Sequence, residues 1–194
     1  MTLPAEVEAA AAALLRGVPG YVWDGETLPV PVEEIADTHL GLLVRDVEHL
    51  AGAPGAPALE PSQSLSGLLL PDRGEIWVNA SEGRQWPGRR RFTIAHEMGH
   101  WQLHRAAHDH VYCRATSVDS MGGSVGGSVV APERPPLPTI EEEANAFAAA
   151  VLMPAPLICA AYADYGSDFA RLCEVFGASG AAMGRRLQAV IPQG

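Results

Sequence analysis

The chain contains no lysine: all 13 of its basic residues are Arg, set against 23 acidic residues for a net charge of −10. A duplex-DNA or polyanion binder is expected to carry a basic face, and this balance argues against that class. Cysteine is scarce as well. Cys113, Cys159 and Cys173 are an odd number, too few for a disulfide framework in 194 residues, and they read as a reducing compartment. The first residues lack the early positive charge of a signal peptide and carry Glu6 and Glu8 instead. No apolar run approaches the ~20 residues of a spanning helix, because Asn145, Pro154 and Pro156 break up the stretches 144–153 and 154–163. The expectation is a soluble cytoplasmic protein.

At 47% hydrophobic residues, a chain of this length can bury roughly two-thirds of its unfolded surface and needs no staples. The length gives one domain over 1–194. Within it we expect an N-terminal helix and lead-in (1–30), a Gly/Pro-rich insert (106–138) and a C-terminal helical tail (155–194). Helices are expected over 5–15, which is Ala-rich, and from Pro31 to about His39, where proline suits the first turn. Residues 42–47 read as a strand, and 65–70 with 75–79 as a hairpin about Asp72 and Gly74. Residues 51–61 are rich in Gly, Ala and Pro and read as loop. The second half reads as mainly helical: 89–105, then 139–153 opened by a capping box of Thr139 and Glu142, then 168–176 and 179–190. The class is therefore α+β, a small sheet in the first half followed by helices. Residues 117–138, with two Gly-Gly pairs and four prolines, read as irregular.

The helix over 89–105 is apolar nearly all round, the mark of a buried helix. Inside it stands His96-Glu97-Met98-Gly99-His100, an H-E-x-x-H pattern expected by chance about 0.02 times in this composition. Positions i and i+4 share one helical face, so His96 and His100 can aim two imidazoles at one tetrahedral zinc. Glu97, about 100° further round, is placed as general base toward a water at the metal. Two imidazoles and a carboxylate in a buried helix are costly unless paired or metal-bound. His104, one turn on at i+8, lies roughly 12 Å along the axis from His96 and is expected to pack or hydrogen-bond rather than bind metal.

A third ligand can come from Glu141-Glu142-Glu143-Ala144-Asn145, which opens the next helix. Glu141 shares a face with Ala144, Asn145 and Ala148, small enough to admit another helix, and Asn145 is spaced to hydrogen-bond a metal-binding His. Glu142 suits the cap, and Glu143 is expected at the surface. Spacing alone does not choose between a ligand and three acids that merely favour a helix N-terminus.

These residues together resemble the ImmA/IrrE family of zinc metallopeptidases. The likeness is carried by Ser66-Gly67-Leu68-Leu69-Leu70, Val78-Asn79, the run from Arg91 to Trp101 around H-E-x-x-H, Glu141-x-x-Ala144-Asn145-x-Phe147-Ala148-Ala149 and Leu152-Met153-Pro154. A looser likeness continues through Leu172, Phe176, Ser179, Ala182-Met183 and Arg186-Leu187. The resemblance implies a zincin-like (minimal gluzincin) fold, Zn2+ held by His96, His100 and Glu141, and Glu97 as catalytic base. It also implies a protein substrate, a helix-turn-helix repressor encoded nearby. The chain departs from the pattern in the 41-residue gap from His100 to Glu141, and no sensor or separate DNA-binding domain is expected within these residues.

Other features carry less. Residues 168–190 have helix-turn-helix spacing, but residues 141–194 sum to −3, so a packing role is favoured over reading DNA. Arg84, Arg89, Arg90 and Arg91 form the one basic cluster and read as a solvated face or internal salt bridges. Cys113 reads as a free or buried thiol rather than an inhibitory ligand. His104, His108, His110 and Tyr112 are candidates for the donor that a transition state needs. A rival reading is a zinc-stabilised interaction module that binds a repressor or toxin partner without cutting it. Glu97 beside an open metal position favours the enzyme, since a structural zinc has no need of a base. An acidic DNA mimic would explain the charge but not the H-E-x-x-H helix.

Overall fold

A computed structural model describes residues 5–53, 56, 63–105, 112–117 and 139–191. Among them are a four-stranded sheet and eight α-helices, two before the first strand and four after the last. Helix α1 (Ala5–Gly17) buries Val7, Ala11 and Leu14, an i, i+4, i+7 stripe, against the later helices. Helix α2 (Val32–Glu34) follows Pro31 and widens into a π turn over Ile35–His39, sinking Val32, Ile35 and Ala36 into the core.

The strands are β1 (Leu43–Val47), β2 (Gln63–Leu70), β3 (Glu75–Asn79) and β4 (Tyr112–Ser117), in the order β1-β3-β2-β4. β2 and β3 form the expected hairpin, closed by a 3-10 turn at Pro71–Arg73 and by Gly74 in the left-handed region at φ 62°. β1 runs parallel to β3, and β4 antiparallel to β2. β2 is buried on both sides. Gly67 and Leu69 face the main core with Ile76 and Val78 of β3, while Leu65, Leu68 and Leu70 pack with Leu50 in a smaller core.

Helices α3 (Ala80–Gln85) and α4 (Pro87–Leu103) come directly after β3, then α5 (Thr139–Leu152) crosses α4. The tail holds α6 (Ala155–Tyr165), α7 (Phe169–Phe176) and α8 (Gly180–Val190). Leu172 and Phe176 of α7 and Ala182, Met183 and Arg186 of α8 are buried, so this stretch packs as part of the core. No single described helix is long and apolar enough to cross a membrane.

Three expectations need correction. The sheet is not confined to the first half, because β4 lies inside the stretch read as an insert and completes the sheet beside β2. The short α3 escaped notice because Asn79 serves two elements: it ends β3, and its side chain accepts hydrogen bonds from the N–H groups of Ser81 and Glu82 as the helix cap. The tail holds three helices rather than two. Pro154 and Pro156 end α5 but also open α6, where a missing N–H costs nothing in the first turn. Residues 118–138, His108 and His110 lie outside the described residues, as do the side chains of Tyr112 and Cys113.

A buried arginine ties the ends of the chain together. Arg186, 1% exposed, donates from Nε to the carbonyl of Met153 at 2.8 Å and clasps Glu8 through both terminal nitrogens at 2.7 and 2.8 Å. Removing one partner of such a pair leaves a buried charge uncompensated, whereas an apolar replacement of similar volume does not. Glu8→Ala is therefore expected to cost about 2–4 kcal/mol in chemical denaturation. The double change Glu8→Ala with Arg186→Met is expected to recover most of that loss; a double variant as unstable as Glu8→Ala alone would contradict the account.

Candidate metal centre

Helix α4 lies between the sheet and α5, and every residue from Phe92 to His100 is buried. On the α5 side the approach is close. A Cβ on Gly99 would sit 3.1 Å from Ala144 Cα and 3.2 Å from its carbonyl oxygen, so two small residues let the helices meet at backbone distance. Ala144 thus faces α4, with Glu141 and Asn145 on one flank and Glu143 on the other.

That approach brings His96, His100 and Glu141 together. His96 Nε2 lies 3.0 Å from His100 Nε2, and Glu141 reaches both, Oε2 at 3.3 Å from His96 Nε2 and Oε1 at 3.2 Å from His100 Nε2. The two imidazoles are 1% and 0% exposed. Burial pushes the Glu141 carboxyl up, but hydrogen bonds from His100 and His96 and the attraction of their charge outweigh it and bring it down to about 2. The carboxylate thus calls for positive charge at this point, supplied by imidazole protons on Nε2 that a metal ion would replace.

A metal ion meets that demand at all three atoms at once. One Nε2 from each imidazole and one carboxylate oxygen lie within 4.8 Å of one another, a group that could hold a metal. Ligands at zinc distances of about 2.0–2.1 Å in a tetrahedron stand about 3.3 Å apart, close to the spacings seen here. His96 Nδ1 lies 3.2 Å from Asn145 Oδ1, an acceptor, so with a metal in place the ring would keep its proton on Nδ1 and offer Nε2 as the donor atom. Two imidazoles and a carboxylate are a donor set suited to zinc, and the residues fit it.

Glu97, fully buried, faces the sheet. A Cβ on Gly67 of β2 would overlap Thr93 Cγ2 and lie 2.9 Å from Glu97 Oε1. The β2 backbone therefore runs directly against the Glu97 carboxylate. Sequence reasoning gave Gly67 no role of its own, although an isolated glycine in an apolar strand is itself a signal of close backbone approach.

The remaining candidates separate clearly. Glu142 is exposed. Glu143 is not simply at the surface: it is half-buried, with Oε2 2.9 Å from His104 Nε2. His104, 6% exposed, also places Nδ1 3.1 Å from His100 Nδ1, so both its ring nitrogens are engaged on the side away from the three-residue cluster. The basic cluster is paired internally. Arg84 bonds Glu48 at 2.6 Å, Arg89 lies 3.4 Å from Glu82, Arg90 bonds both Glu33 and Asp46, and Arg91 donates to the carbonyl of Val30 at 2.6 Å.

A peptidase family model, M78, described as the IrrE N-terminal-like domain, matches residues 60–188. The chain belongs to this family. The match takes in β2, β3, α4 and α5, the elements that build the cluster. No protein of curated function matches the chain significantly in sequence. Among solved structures, a Mycobacterium tuberculosis transcriptional regulator is similar in fold, at TM-score 0.52 and 18% identity. The alignment covers 96% of this chain and 48% of that one, so this chain spans about half the length of that regulator.

The contact at Gly67 generates a test. Gly67→Ala forces β2 away from α4 and is expected to cost about 1–3 kcal/mol, measured by chemical denaturation. Adding Thr93→Ser, which deletes the overlapping methyl, is expected to return part of it. A Gly67→Ala protein as stable as the parent would show that the approach is not tight.

Proposed function

We propose that the protein is a zinc-dependent endopeptidase that makes limited cuts in a regulatory protein, a helix-turn-helix repressor being the substrate class. The carrying observation is the convergence of His96 Nε2, His100 Nε2 and the Glu141 carboxylate on one buried point, in a chain of a peptidase family. The fold similarity to half of a transcriptional regulator supports a place in transcriptional control. We read 1–194 as one zincin-like metallopeptidase domain, and the free thiols Cys159 and Cys173 as belonging to a reducing, cytoplasmic compartment.

In this reading His96, His100 and Glu141 hold the zinc. Zinc supplies Lewis-acid polarisation of the scissile carbonyl and lowers the pKa of water to about 7. Glu97 takes the proton from the attacking water as the new C–O bond forms. It then delivers that proton to the amide nitrogen as the C–N bond breaks, so acid and base are one carboxylate. Asn145 keeps the His96 ring turned inward through its Nδ1–H. Gly67 lets β2 press on Glu97 and limits where its carboxylate can swing.

Metal content by mass spectrometry is the first test, with about one zinc expected per wild-type chain and little in His96→Ala or Glu141→Ala. Glu142→Ala is expected to keep its zinc, and equal losses from Glu141→Ala and Glu142→Ala would reopen the choice of third ligand. Glu97→Gln is expected to retain zinc while cleavage of the co-encoded repressor falls by about 10²-fold or more. Undiminished cleavage by Glu97→Gln would remove it from the role of base. The same zinc-loaded variant can trap the substrate, which identifies the partner.

A further inference from the structure

Beyond the three-residue cluster, a second row of polar contacts runs away from it along α4 and has no part in the chemistry described above. His96, His100 and His104 are spaced i, i+4, i+8 on one face. The last of them stands at the end of the helix, its N–H bonded to the His100 carbonyl at 2.9 Å. His100 Nδ1 lies 3.1 Å from His104 Nδ1, and His104 Nε2 lies 2.9 Å from Glu143 Oε2. His100 is fully buried and His104 is 6% exposed.

The direction of these bonds follows from the chemistry of their ends. An ionised carboxylate only accepts, so His104 donates from Nε2 to Glu143. With His104 neutral and its proton on Nε2, its Nδ1 carries a lone pair and accepts from the Nδ1–H of His100. In the metal-bound protein that would leave the Nε2 lone pair of His100 for the metal. The carboxylate at the far end therefore sets the tautomer of a ring it does not touch. His96 gets the same result from one residue, Asn145, while His100 needs two.

We infer that His104 and Glu143 are positioning residues, which fix the tautomer and orientation of His100 so that its Nε2 points into the metal site. The inference rests on the reading of His96, His100 and Glu141 as a zinc centre. It assigns Glu143 a function distinct from that of its neighbour Glu141: one acid faces the metal, and the other reaches it through two imidazoles.

The test measures zinc affinity by chelator competition on the full chain, alongside the histidine tautomers. His104→Leu removes the acceptor and leaves a buried Nδ1–H without its partner, so zinc affinity is expected to fall by about 10–100-fold. His104→Asn, which can place an amide oxygen near the same point, is expected to recover most of the affinity. Glu143→Ala is expected to give a smaller loss in the same direction, and Glu142→Ala none. In the zinc-loaded wild type, long-range proton–nitrogen correlation spectra are expected to show His100 protonated on Nδ1 and His104 on Nε2. This readout needs no variant and decides the matter if His104→Leu fails to fold. A folded His104→Leu with wild-type affinity, or His104 protonated on Nδ1, overturns the inference while leaving the zinc centre intact. A wild type that takes up no zinc overturns the metal centre and this inference together.

Discussion

The site depends on how near α5 comes to α4. With a Cβ at position 99, Ala144 would be met at 3.1 Å, and α5 would have to back away. Glu141 and Asn145 are carried on that same helix, so any retreat withdraws the third member of the cluster and the partner of His96 together. Helix–helix packing between ordinary side chains sets axes about 8–10 Å apart. Small residues at a crossing bring the axes in and let short acidic and amide side chains span the gap. The pair Gly99 and Ala144 thus converts a packing detail into the geometry of a ligand set.

Burying that set imposes a further demand. Two imidazoles and the Glu97 carboxylate, all buried beside a Glu141 that is 23% exposed, would be unfavourable unless their polar atoms had partners. The outward nitrogens meet the demand through Asn145 for His96 and through His104 and Glu143 for His100. The inward atoms converge on one another and on the Glu141 carboxylate, a group that could hold a metal ion.

Much of this was legible in the sequence, and the parts that were not share a cause. H-E-x-x-H at helical spacing, an apolar helix around it and small residues beside Glu141 are local patterns, readable because a helix fixes the relation of i to i+4. Strand β4 was missed because strand partners are settled by distant residues. Its register against Leu65 to Leu69 depends on β2, far back in the chain, and its own composition carries no strong strand signal. Glu143 was misread for a similar reason: its partner is His104, 39 residues away, and nothing within α5 marks it apart from Glu142. Helix α6 hid behind its prolines, whose meaning reverses between the end of one helix and the start of the next.

The absence of lysine acquires a structural meaning at the same site. Arg presents five donors in a planar fork, so one side chain can tie two elements to a third, which an ammonium does poorly. Arg90, at the start of α4, does this by bonding Glu33 of α2 and Asp46 of β1 at once. Arg91 secures the next position to the Val30 carbonyl, and Arg89 pairs with Glu82 of α3. Helix α4 is therefore held at three heights: by arginine forks at its first turns, by Gly67 and Gly99 against its neighbours in the middle, and by His104 and Glu143 at its end. Three of the four arginines in the basic cluster thus fix that helix, while Arg84 pairs with Glu48 at the surface.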